Sequence, residues 1–270
     1  MKINKKQLYE QERNVKSREY YKKYYGEPLD QLIELTLHGR QPVSVKEVMK
    51  QQVIAYQSHD QYTVDFWLGS GVYTADAIFC HSNDHINEKM KVVPDALLIP
   101  ALKSKILSAK KDRIMGHLNF LDDSYAIPIS EDIYQHAAGY EFLINEEIRK
   151  RSWSSSRIGP KKMEKNPFWN TLVQEDRSLL REFIMIAFNE WIAKNVNPYN
   201  SNRRMEFAHS STWGSCIEKS DENMEKTIIH MHPLLLDPFY RGSHLLGNHQ
   251  WDDNNEGRDY TSTFIGVKQK

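Results

Sequence analysis

Tyr62-Thr-Val-Asp-Phe-Trp-Leu68, Gly69-Ser-Gly71 and Val72-Tyr-Thr-Ala-Asp-Ala-Ile-Phe-Cys80 follow one another without a break. β-Branched and aromatic residues fill both outer runs, and such residues suit a pleated, half-buried surface. A short Gly-Ser-Gly link between two such runs predicts a β-hairpin. A polar stretch over 81–89 then leads to a third expected strand, Met90–Val93.

The flanks of this hairpin read as helices. Residues 5–25 are rich in Lys, Glu, Arg and Tyr and predict a helix that Gly26 and Pro28 terminate. A second short helix is expected over 29–38, stopped at Gly39. Ser44 and Glu47 have the spacing of a capping box, so a helix is expected from about Val45 to Gln57. Residues 95–111 look helical, with Pro100 limiting their regularity, and 114–120 and 125–129 are short strand candidates. Ser130 is expected to cap a long helix reaching about Arg151, with Gly139 its weak point. Asn166-Pro167 supplies an N-cap and a first-turn proline for the next helix. Leu179, Leu180, Phe183, Ile184, Ala187, Phe188, Trp191 and Ile192 then recur at helical spacing, the stripe of a core helix.

The last part of the chain reads differently. Arg204–His209, Thr227–His232 and Thr261–Val267 are strand candidates. The expected fold class is α+β, with a helix-rich first two-thirds, an inserted β-hairpin and a β-rich C-terminal part. The 270 residues are expected to form one compact domain, with a possible internal boundary near 152–165 or 195–203.

Composition narrows the function classes. Hydrophobic residues are 40% and charged residues 27%, which places the chain among globular proteins. Acidic and basic residues number 36 each, so no global field draws the chain to polyanions or anionic membranes. Cys80 and Cys216 form no C-x-x-C pair, and both thiols are expected to be reduced. The polar first residues lack a signal-like apolar core, and no run of 18 apolar residues exists. The expectation is a soluble, cytoplasmic protein with no membrane partner.

The richest chemistry lies near the C-terminus, where His209, His230, His232, His244 and His249 fall among acids that include Asp252. His230 and His232 sit two apart on an expected strand, so they share a face, and paired imidazoles can chelate a divalent metal such as zinc or manganese. These five histidines with Asp252 are the candidate metal ligands. They motivate a reading as a metal-dependent hydrolase or nuclease, whose catalytic residues the sequence does not name. The plainer reading is a set of hydrogen-bonded or solvent-facing histidines. Two nuclease templates fit in part. One places an attacking tyrosine among Tyr20, Tyr21, Tyr24 and Tyr25 on the basic N-terminal helix. The other uses His232-Pro233 with His244 and Asn248. Pro94-Asp95 with Lys103 resembles part of a restriction-type nuclease motif, but Ala101 stands where its second acid belongs, which makes Lys103 a helix-surface residue.

No nucleotide cofactor signature is present: G-x-G-x-x-G, the P-loop pattern and H-E-x-x-H are all absent. Residues 1–25 carry eight Lys and Arg against three Glu, so the N-terminal helix could take nucleic acid, or it is simply a solvated face. Six Trp and fourteen Tyr also permit a protein-binding surface, with Trp153 and Trp251 conspicuous in polar stretches. The alternative function is therefore a non-catalytic binding or structural protein.

Overall fold

Strand β3 (Val72–Asp84) is the spine of the sheet, because its side chains are needed on both faces. Ile78 and Cys80 belong to one buried core, and Ala77 and Phe79 to another. A strand buried on both sides reads as an unbroken apolar run, which is how 77–80 reads. The computed structural model describes residues 19–26, 28–58, 60–84, 87–114, 127–145, 157–158, 160–195, 207–209, 228–236, 244–246 and 263–268.

Around β3 the described residues form an 11-stranded mixed sheet. Strand β1 (Tyr21–Tyr24) pairs with β11 (Thr263–Lys268), which runs parallel to β3 on its other side. Strand β2 (Arg40–Pro42) also pairs with β11. β4 (Asn87–Val93) continues along the edge of β3 that β11 takes, and β9 (Ile228–Leu236) takes the opposite edge, both antiparallel to β3. Strand β6 (Tyr140–Asn145) extends the sheet from β4, and the short β5 (Ile127–Pro128) pairs with β9. Beyond β9 lie β10 (His244–Leu246), β8 (Phe207–His209) and β7 (Arg157–Ile158), with β10 and β8 parallel.

Helices cover both faces. The first core takes α2 (Val45–Tyr56), α3 (Gln61–Leu68), α7 (Pro167–Leu172) and α8 (Arg177–Asn195), through Val48, Met49, Trp67, Trp169, Leu180 and Phe183. The second takes α1 (Pro28–Leu37), α4 (Pro100–Ile114) and α5 (Glu131–His136), through Leu35, Leu102, Ile106 and Tyr134. A four-residue helix, α6 (Pro160–Met163), precedes α7. The class is α+β. No helix among the described residues is long and apolar enough to cross a membrane.

Several elements form as their caps dictate. The Ser44 side chain accepts from the Glu47 N–H, and α2 starts at Val45. Asn166 accepts from the Phe168 N–H, with Pro167 in the first turn of α7. The stripe of α8 is buried at Leu180, Phe183 and Ala187.

Other expectations are corrected. Residues 61–68 are a helix rather than the first arm of a hairpin. The Asp60 carboxylate caps it by accepting from the Thr63 N–H at 3.1 Å and the Thr63 hydroxyl at 2.6 Å. That cap outweighs the β propensity of the run, and Gly69 ends a helix instead of turning a hairpin. The antiparallel partner of β3 is β4. Residues 21–24 are a strand rather than the end of a helix, because β11 supplies them a partner. Pro100 opens α4, where its missing N–H costs nothing. The helix after Ser130 stops at His136, and Tyr140–Asn145 is a strand. Residues 157–158 form a strand and 160–163 a short helix. Phe188, Trp191 and Ile192 lie on α8, but their side chains fall outside the description, and Trp153, Cys216, Trp251 and residues 5–18 lie outside the described residues.

Candidate functional site

The sheet distributes the C-terminal histidines along two different stretches. His230 stands opposite Cys80 and Pro128, and His232 opposite Ile78, in the middle of the sheet. His209 and His244 lie on the neighbouring parallel strands β8 and β10, with His244 opposite Ala208 and His209 opposite Leu245. Leu245 in turn pairs with Leu236, the last residue of β9. At about 3.3 Å per strand residue, His232 and His230 are roughly 13 and 20 Å along β9 from that point. His249 and Asp252 lie outside the described residues. Among the described residues no group of three or more His, Cys, Asp or Glu side chains is placed to hold a metal ion.

Two buried polar clusters, neither singled out in the sequence, tie helices to the sheet. Asp76, fully buried on β3, accepts from the Val45 N–H at 2.5 Å and the Asp95 N–H at 2.6 Å. It thus caps α2 and pins the turn after β4 at once. Burial pushes its carboxyl up to about 7, against the pull of the two N–H donors. Asp95 has a left-handed backbone (φ 51°), and its own carboxylate accepts from Gln174 Nε2 at 3.0 Å. Gln174 and Glu175, between α7 and α8, also have positive φ, so the three non-glycine residues of this kind among the described residues sit at one corner. Asp95, the acid of the partial nuclease motif, is therefore a corner brace, while Lys103 lies exposed on α4 as expected.

The second cluster grips α5. From its first turn Glu131 meets the Nε2 of buried His81 at 2.9 Å, and burial leaves the other ring nitrogen of His81 without a hydrogen-bond partner among the described residues. From its last turn the carbonyls of Tyr134 and Ala137 accept from buried Lys91 at 2.8 and 3.4 Å. Lys91 also lies 4.6 Å from the Tyr134 ring centroid. A His–carboxylate pair can orient a general base. Here the pair and the lysine hold the two ends of one short helix against β3 and β4.

The corner between β1 and α3 differs from both, because its aromatic surface reaches solvent. Tyr20, Tyr21, Trp67, Phe66 and Tyr62 form an unbroken row, with successive centroids 4.9, 5.0, 5.2 and 5.9 Å apart. Trp67 is buried at its centre, and Tyr62 is 43% exposed at its end. The helix spacing of Tyr62 and Phe66, i and i+4, aligns their rings. Polar groups border the row. The Tyr21 hydroxyl donates to Glu47 Oε1 and accepts from Gln51 Nε2 at 3.2 Å. Burial, reinforced by Glu47, pushes that phenol well above its ordinary value. Lys23 Nζ donates to Ser70 Oγ at 3.1 Å and lies 4.9 Å from the Phe66 centroid. Burial lowers the amine to about 8, against the attraction of Asp65. Of the four tyrosines expected on a basic helix, Tyr21 and Tyr24 are strand residues, Tyr20 is helical just before β1 and Tyr25 follows the strand. Tyr24 is buried, its hydroxyl 3.3 Å from His38 Nδ1. The sequence signal for this corner was Tyr62, Phe66 and Trp67, which a strand reading had scattered over two faces.

The arrangement of mixed sheet and helices has a counterpart among solved structures. The fold is similar to that of a structure described as "Accommodation of massive sequence variation in Nanoarchaeota by the C-type lectin fold". The two align with a TM-score of 0.50 and 13% sequence identity, over 92% of this chain and 97% of the other. No protein-family model matches the sequence, and no curated protein does.

Proposed function

We propose that the chain is a non-catalytic binding protein that uses a C-type lectin-like scaffold to present the β1–α3 aromatic corner. The observation that carries this reading is the continuous ring row, anchored on buried Trp67 and open to solvent at Tyr62. Flat apolar faces bordered by an amine, a hydroxyl and carboxylates suit an amphipathic ligand, which stacks on the rings and is oriented by the rim. The fold likeness supports the reading. The neighbour is described as a lectin fold that accommodates massive sequence variation, and a scaffold of that kind separates the sheet from the surface that recognises. The metal-dependent reading rests on histidines that the strand register spreads along the sheet.

The test is a binding screen of wild type and Tyr62→Ala on arrays of peptides and glycans, with zinc and manganese titrations alongside. A ligand retained by wild type and weakened about tenfold or more by Tyr62→Ala supports the corner as the site. Ligands bound equally by both proteins would move the site elsewhere. Stoichiometric metal that disappears in His230→Ala/His232→Ala, together with hydrolysis of a substrate, would restore the enzyme reading.

A further inference from the structure

We infer that β1 is a docking edge for an acidic, extended segment of a protein partner, which adds to the sheet as a further strand. This goes beyond the ring face and does not depend on it. Strand β1 ends the sheet: among the described residues it is hydrogen-bonded to β11 on one side alone. Alternate residues of such a strand turn their N–H and C=O groups away from the sheet, ready to pair with another backbone.

Two features make this edge selective. First, a lysine stands over each face of it. Lys23 lies on the side of α3, where it reaches Ser70 and Phe66. Lys22 is exposed and lies 5.0 Å from the Tyr24 ring centroid, on the side of the second core. Lysines on an edge strand repel a second copy of the same edge, which is how native sheets avoid pairing with themselves. The same charges attract a strand whose side chains are carboxylates, directly opposite on each face. Second, the edge is held in place before a partner arrives. The Arg40 guanidinium donates to the Tyr20 carbonyl at 2.8 Å, the Glu19 carbonyl at 3.1 Å and the Gly266 carbonyl at 3.1 Å, tying the entry of β1 to β11. A fixed edge spares the partner the cost of ordering it. The ladder of outward N–H and C=O groups fits a peptide backbone better than a phosphodiester, which has no donors to return.

The experiment titrates isotopically labelled protein with a capped hexapeptide, Glu-Glu-Val-Glu-Glu-Val, which carries carboxylates on both faces of a strand, followed by backbone amide shifts. The expected result is saturable shifts centred on Tyr21–Tyr24, an affinity that falls at least tenfold in Lys22→Glu, and a further fall as salt rises from low to high. A Lys/Val peptide should show the reverse preference, binding Lys22→Glu and sparing wild type. Because Lys22 is exposed, its replacement leaves the fold in place, and the unchanged spectrum of the sheet verifies this. Tyr62→Ala should leave the peptide's affinity unchanged, so loss of the ring site and loss of the edge site are read separately. Shifts elsewhere, equal binding of both peptides, displacement of the peptide by oligothymidylate at lower concentration, or dimerisation through β1 would each overturn the inference.

Discussion

Asp76 shows how one side chain can settle the relation of several elements. It lies inside a run that reads as strand, between Ala75 and Ala77, and both neighbours are buried. An acid there looks like the polar half of an alternating pattern, and the sequence offers no sign that its partners are Val45 and Asp95. Local pairs were legible for the opposite reason. Ser44 with Glu47, and Asn166 with Phe168, act over a few residues, so their spacing states their function. Asp60 with Thr63 is just as local, and its signal was masked by the β propensity that follows it. Asp76→Asn keeps one acceptor and turns an NH2 towards the second N–H donor, so it should cost about 1–3 kcal/mol. The cost should also vary with pH. Burial lifts the folded carboxyl from its ordinary 3.8 to about 7, so the native state holds a proton that the unfolded chain has released. Stability from that group is fully present below about pH 4 and is lost as pH rises towards 7. Urea titrations from pH 4 to 8 should therefore show the gap between wild type and Asp76→Asn narrowing as pH rises. A gap that widens over that range would contradict the assignment.

At the scale of elements, the sequence is readable where one signal acts alone and misleading where two compete. Helix α8 carries an apolar stripe with no opposing propensity, and it forms as the spacing requires. Helix α3 and strand β1 were exchanged, since aromatic residues suit a strand and alternating charge suits a helix until a cap or a partner decides. The segment after Ser130 is a third case. Its composition allows a long helix, but the chain must join β6 beside β4, and Gly139 is where it does so. A Cβ at Gly139 would fall on the Val92 carbonyl oxygen, a backbone atom that cannot swing aside. Glycine here is required for close approach of two backbones rather than for flexibility. Gly139→Ala should cost about 2 kcal/mol or more, through displacement of β6 from β4 and slack in the Lys91 contacts that close α5. Thermal and chemical denaturation would measure it. Lys91→Met in the same background gives a control, since the two losses should be less than additive if they share one structural cause.

Over the whole molecule, the fold class was legible and the layering was not. Strand candidates at 72–80, 90–93 and near 204–209, 227–232 and 261–267 all correspond to strands, yet nothing in them shows that β11 sits between β1 and β3. That order comes from long-range pairing, which leaves no local trace. The same holds for the candidate sites. His230 and His232 were visible as a pair, whereas the ring row assembles from residues more than 40 positions apart in sequence. Two cores on opposite faces of one sheet make the middle strands the most protected part of the protein. β3 and β9 share the longest register in the sheet and are covered from both sides, so opening them requires disrupting both cores. β1 is tied on one side by four residue pairs and by the Arg40 contacts. Local opening of an edge costs less free energy than global unfolding. Amide hydrogen exchange should therefore be slowest at Ile78–Cys80 and Ile229–Met231, with rates there following the global unfolding free energy as urea is added. Tyr21–Tyr24 should exchange at least tenfold faster, with weak dependence on urea. Equal protection of β1 and β3 would mean that the edge opens only with the whole sheet, and would remove the accessible ladder on which strand addition depends.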